Sequence, residues 1–196
     1  SSPENAAYIQ GYNSVGVLKS HFPFRPEYHR VVYIVRDPRA VFVSLYHHLK
    51  REKSFSGSLE DYIEIFLKTN HSYGNWGTNV GSWLGARSGT QDFLVVRYED
   101  LLENTKSCME RILTFIDLTV STDLLDDVID KSSLEALRSK ENEERKIWKG
   151  ISDARSQESF FRKGEKQSWS HEIPDHVQAS VCKEFRFSMR LAGYSI

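Results

Sequence analysis

Val31-Val32-Tyr33-Ile34-Val35-Arg36-Asp37-Pro38 is an apolar, β-branched run that ends in an arginine and a helix-starting pair. A run of this kind without alternation predicts a short strand buried on both faces, as in a parallel sheet. Asp37 is placed to cap a helix and Pro38 to occupy its first position. Ala40, Val41, Ser44, Leu45 and His48 then follow at helical spacing. Phe93-Leu94-Val95-Val96 repeats the pattern and leads through Arg97-Tyr98-Glu99-Asp100 into a helix carrying Leu101, Leu102, Cys108, Met109, Ile112, Leu113 and Ile116. Val15 to Leu18 is a third, briefer run. Leu59 to Leu67 predicts an amphipathic helix, and Trp76, Val80 and Trp83 predict another. The last third is charged and helical over Ser132 to Glu144 and Asp175 to Leu191. Strands alternating with helices imply an α/β fold, a parallel sheet flanked by helices.

The 196 residues fit a single domain, 1–196, with a sizeable core. At 39% hydrophobic and 27% charged, the composition excludes a disordered or collagen-like chain. A net charge of −1 argues against a partner held through a phosphate backbone, so no nucleic acid is expected. No apolar run approaches the roughly 18 residues of a membrane span. Cys108 and Cys182 lie far apart and lack ligand spacing, which reads as reduced thiols in a cytoplasmic protein with no metal site, a single disulfide being the lesser alternative.

Parallel sheets bind ligands beyond the carboxyl ends of their strands. Lys19-Ser20-His21, Arg36 and Tyr98 fall there, each after one of the three runs. Arg36 stands in a strand-to-helix turn whose N–H groups and dipole favour an anion. Ser44, eight residues on, can return to the same side, so the two make a phosphate site. The competing reading pairs Arg36 with Asp37 or Asp100. Phe161-Arg162-Lys163-Gly164 offers two cations and a glycine that permits close approach to an anion, although a short basic loop is also an ordinary solvated turn. His21, two residues past Lys19, suits general-base work on a hydroxyl. Phe22, Phe24, Tyr46 and Tyr73 serve equally as an apolar acceptor wall or as plain core. Arg138 to Lys149 reads as a solvated helix of alternating charge, with a cofactor lid as the alternative.

Taken together, these residues resemble the PAPS-dependent sulfotransferases of the cytosolic type. Lys19-Ser20-His21-Phe22-Pro23 is similar to the family's Lys-Thr-His-x-Pro segment, whose histidine is the catalytic base. Arg36-Asp37-Pro38-Arg39 through Ser44-Leu45-Tyr46 resembles the segment whose arginine and serine bind the 3′-phosphate of PAPS. Gly74-Asn75-Trp76 through Trp83 is similar to Gly-x-Trp-x-x-His-Val-x-x-Trp, with Asn79 in place of the histidine. Tyr98-Glu99-Asp100-Leu101 matches a segment lying by the adenine. Ser132-Ser133-Leu134 stands where the family has Thr-Ser-Phe, so Leu134 lacks a stacking ring. Phe161-Arg162-Lys163-Gly164 with Trp169 resembles the loop that closes on the 3′-phosphate.

The resemblance implies a P-loop, nucleotide-kinase-like sulfotransferase fold and sulfonate transfer from PAPS to a hydroxyl or amine of a small-molecule acceptor. Its product is PAP, adenosine 3′,5′-bisphosphate. His21 and Lys19 would be catalytic, while Arg36, Ser44, Tyr98, Ser132, Leu134, Arg162, Lys163 and Gly164 would bind the nucleotide. No metal is implied, and the resemblance allows a homodimer. One departure matters: nothing matches the family's N-terminal strand and Pro-Lys-Ser-Gly-Thr-Thr-Trp phosphosulfate loop. Arg87-Ser88-Gly89-Thr90 is a faint echo on the wrong side of a strand. The chain begins with Ser1, without Met, where that module should end, and so reads as truncated. The alternatives are a catalytically inactive sulfotransferase-fold protein that binds a nucleotide or partner, and a kinase-like protein, which would need a phosphate loop and Mg²⁺ carboxylates.

Overall fold

The computed structural model describes residues 17–69, 74–148 and 169–196. Strand β1 (Val31–Val35) pairs in parallel with β2 (Phe93–Arg97), from Val31 opposite Phe93 to Val35 opposite Arg97. Three helices connect them: α1 (Pro38–Arg51), α2 (Leu59–Lys68) and α3 (Trp76–Arg87). After β2 come α4 (Tyr98–Glu103), α5 (Thr105–Phe115), α6 (Thr122–Lys131), α7 (Leu134–Trp148), α8 (Trp169–Glu172), α9 (Asp175–Glu184) and α10 (Arg186–Leu191). The expected parallel sheet flanked by helices is therefore present.

Local chemistry starts the connecting helices where expected. The Asp37 carboxylate accepts from the Arg39 N–H, with Pro38 at the first position of α1. Ser58 and Asp61 form a reciprocal capping box on α2. Asn75 accepts from the Thr78 N–H at 2.7 Å and opens α3. The core is then built from the apolar faces of these helices and of α9 and α10: Phe42, Ile63, Val181 and Met189 are fully buried.

Helix α10 lies against α3, and the contact depends on Gly77. A Cβ there would stand 2.6 Å from a ring carbon of Phe185, while the Ser188 hydroxyl donates to the Gly77 carbonyl at 2.7 Å. Gly77→Ala is accordingly expected to lower stability by about 1–3 kcal/mol through overpacking, read as a lower denaturation midpoint at unchanged m-value.

Several expectations are corrected. Ile34 is 54% exposed, so β1 is not buried on both faces; nothing among the described residues covers that side. Val17 and Leu18 belong to no strand and are exposed. The single helix expected after β2 is broken at Asn104, whose backbone (φ −132°, ψ 53°) leaves helical geometry. Helix α6 was not foreseen, and Ser132 caps its C-terminus instead of starting α7. The C-terminal helix is likewise divided, at Phe185.

Candidate functional site

The parallel register brings the first two candidate residues together. Val35 pairs with Arg97, so Arg36 and Tyr98 are the next residues along each strand end. The Arg36 guanidinium carbon lies 4.5 Å from the centre of the Tyr98 ring, a cation–π contact with both groups half-buried. Pairing of Arg36 with Asp37 or Asp100 is not what the structure shows. Asp37 instead binds Arg39 through two side-chain contacts of 2.9 and 2.6 Å, both partners being buried. Among the described residues, no carboxylate forms an ion pair with Arg36.

The backbone around Arg36 is held at two points. Trp76 Nε1 donates to the Arg36 carbonyl at 3.0 Å. The Asp37 N–H donates to Glu99 Oε1 at 3.0 Å, and Tyr194 donates to Glu99 Oε2 at 2.8 Å. Burial, the bond to Glu99 and its negative charge together push the Tyr194 phenol far above its usual pKa, so it stays a donor. Arg39 is also over the Trp169 ring at 3.9 Å and donates to the Ser195 carbonyl at 3.2 Å. Burial works against its charge, but the hydrogen bonds and charge of Asp37 prevail and raise its pKa. Arg39 is thus a structural cation, whereas Arg36 forms no ion pair among the described residues.

The other described nucleotide-site candidates stand on α1 and at the junction of α6 and α7. Ser44 is exposed on α1. Ser132 is exposed and its hydroxyl donates to the Val128 carbonyl at 2.6 Å, closing α6. Leu134 is half-buried at the start of α7. Arg162, Lys163 and Gly164 lie outside the described residues, as does Tyr73. The described side chains from Arg138 to Glu143 are half-buried or exposed, in keeping with a solvated helix.

Lys19-Ser20-His21 belongs to an irregular segment with no ladder to satisfy its backbone, and α3 supplies the partners. Asn79 Nδ2 donates to the His21 carbonyl at 3.0 Å, and Trp83 Nε1 to the Phe22 carbonyl at 2.9 Å. The Phe24 N–H donates to Ser82 Oγ at 2.9 Å. His21 and Lys19 are both exposed. Phe24 packs edge-on against Trp83, with ring centres 5.4 Å apart, while Phe22 lies under Arg25. Tyr46 is core: it is 7% exposed and donates to the Gly57 carbonyl. Sequence reasoning missed the holding roles of Trp76, Asn79 and Trp83; their i, i+3, i+7 spacing, one helix face bearing three N–H donors, was the available signal.

Both cysteines are buried and unbridged. Among the described residues no group of His, Cys, Asp or Glu is arranged to hold a metal, and no helix is long and apolar enough to cross a membrane.

A model of the Sulfotransferase domain family matches residues 3–193, and the chain belongs to that family. Among its relatives, the 3-β-hydroxysteroid sulfotransferase of Cavia porcellus is 32% identical over 170 residues, covering 84% of this chain and 57% of that enzyme. The 3-α-hydroxysteroid sulfotransferase of the same animal is 30% identical, covering 95% of this chain and 67% of that enzyme. The chain therefore spans about three fifths of the length of these relatives. Two solved structures share its fold: retinol dehydratase with androsterone and PAP (TM-score 0.67, 23% identity, 82% of this chain and 47% of that one), and a mouse sulfotransferase with PAP (TM-score 0.65, 20% identity, 82% and 58%).

Proposed function

We propose that the protein transfers a sulfonate group from PAPS to a hydroxyl or amine of a small-molecule acceptor. The observation that carries this reading is Arg36: a guanidinium with no ion-pair partner among the described residues, resting on Tyr98 at the carboxyl ends of the parallel strands. That donor set suits a phosphate beside an adenine, since a guanidinium binds phosphate through paired N–H groups and an aromatic ring offers a face for stacking. The named relatives add support through their hydroxysteroid sulfotransferase activities.

PAPS supplies the sulfonate; the acceptor oxygen bonds to sulfur as the bond from sulfur to the phosphate oxygen breaks, and PAP leaves. His21 takes the acceptor proton, and Lys19 offsets negative charge on the transferring group. Arg36 and Ser44, with Arg162, Lys163 and Gly164, hold the 3′-phosphate, away from the reacting centre. Tyr98, Ser132 and Leu134 flank the adenine. Binding energy gathered at the 3′-phosphate fixes the donor for in-line attack. We extend the reading to a cytoplasmic protein, for which two buried, unbridged thiols are suited, and allow a homodimer.

The test is transfer of labelled sulfonate by the intact protein, with a hydroxysteroid, a phenol and a sugar alcohol as acceptors. Labelled product with at least one acceptor is expected. Binding of PAP without transfer to any of them would favour a catalytically inactive nucleotide-binding protein.

A further inference from the structure

The strap on the His21 segment has one member unlike the rest. Trp83 and Ser82 tie the segment to α3, but Asn79 carries the tie on to β1. Its Nδ2 donates to the His21 carbonyl at 3.0 Å, and its Oδ1 accepts from the Tyr33 hydroxyl at 2.8 Å. The His21 carbonyl can only accept, so it fixes which end of the amide faces it and leaves the oxygen for Tyr33. Tyr33 must then donate. Burial pushes its phenol far above the ordinary pKa, so the proton is retained. Tyr33 is itself fixed in β1, with ring centres 5.9 Å from both Trp83 and Phe93. The Asn79 backbone is tied as well, its carbonyl accepting from Ser82 Oγ at 2.8 Å.

We propose that Asn79 is a positioning residue for His21, a rigid amide link from the sheet, through Tyr33, to the backbone of the exposed histidine. The inference rests on the reading of His21 as the acceptor's base. It explains why an exposed residue on an irregular segment can hold a defined place: the strap supplies from α3 and β1 the order that the segment lacks on its own. An asparagine serves because its amide both accepts and donates at short reach. A neutral imidazole has the same pair of functions, so histidine is the conservative replacement here.

The test compares Asn79→Leu, the double variant Tyr33→Phe/Asn79→Leu, and Asn79→His in the intact protein. Three readouts are taken: the NMR resonances of His21, steady-state transfer, and thermal unfolding with PAP. In Asn79→Leu the His21 resonances are expected to shift or broaden, and kcat to fall about 10–100-fold, the scale of a misplaced reacting group. KM for PAPS should stay within about twofold, because nucleotide binding is elsewhere. The double variant removes the stranded Tyr33 hydroxyl and should recover melting temperature without recovering kcat or the His21 resonances. Asn79→His should keep both near wild type. Unchanged kcat and His21 resonances in Asn79→Leu, or their return with stability in the double variant, would overturn the proposal and leave Asn79 a purely structural residue. If His21→Ala has no effect on kcat, the reading of the base fails first; if His21 matters and Asn79 does not, only this proposal falls.

Discussion

Replacing His21 with alanine is expected to lower kcat by about 10²–10⁴-fold, the usual contribution of a positioned general base. The fold should be indifferent to the change. His21 is exposed, and the bond that Asn79 makes to residue 21 goes to a backbone carbonyl that alanine retains. Melting temperature and the affinity for PAP should therefore match the wild type, separating loss of chemistry from loss of structure. A kcat within about threefold of wild type would remove His21 from the mechanism.

Arg36→Ala carries the second large effect. Losing a charge-assisted bond to phosphate costs about 1.5–3 kcal/mol, or roughly 10–150-fold in the PAP dissociation constant. Little stability should be lost, because Arg36 has no ion pair to break among the described residues and Trp76 binds its backbone carbonyl, which the variant keeps. Arg36→Lys should recover only part of the affinity: the charge remains, but the planar group that stacks on Tyr98 and forks to phosphate does not. Calorimetric titration with PAP reads both variants. Wild-type affinity in Arg36→Ala would place the phosphate elsewhere.

The strand, turn and helix around Arg36 were legible because their causes are local: a β-branched run, an Asp cap and a proline at the first helical turn. The exposure of Ile34 was not, since it depends on what lies beside the strand and not on the residue itself. Nor could the sequence decide which arginine would take Asp37. Arg36 is adjacent, but Arg39, two positions on, reaches back within the first turn of α1 and is buried with it. The breaks at Asn104 and Phe185 were hidden because apolar spacing continues across both. Asn79 was visible as a departure from the family pattern; its bonds to Tyr33 and His21 span 46 and 58 residues and needed the fold.

The central claim is that the turn at Arg36 is built for a 3′-phosphate. Thermal unfolding of the chain with PAP, against 5′-AMP at the same concentration, tests it most directly, because the two ligands share adenosine and a 5′-phosphate. At 100 times its dissociation constant, PAP should add about 2.7 kcal/mol of stability, or roughly 5–11 °C for a domain of this size. 5′-AMP should give a much smaller shift. Equal shifts with the two ligands, or none with either, would contradict the account.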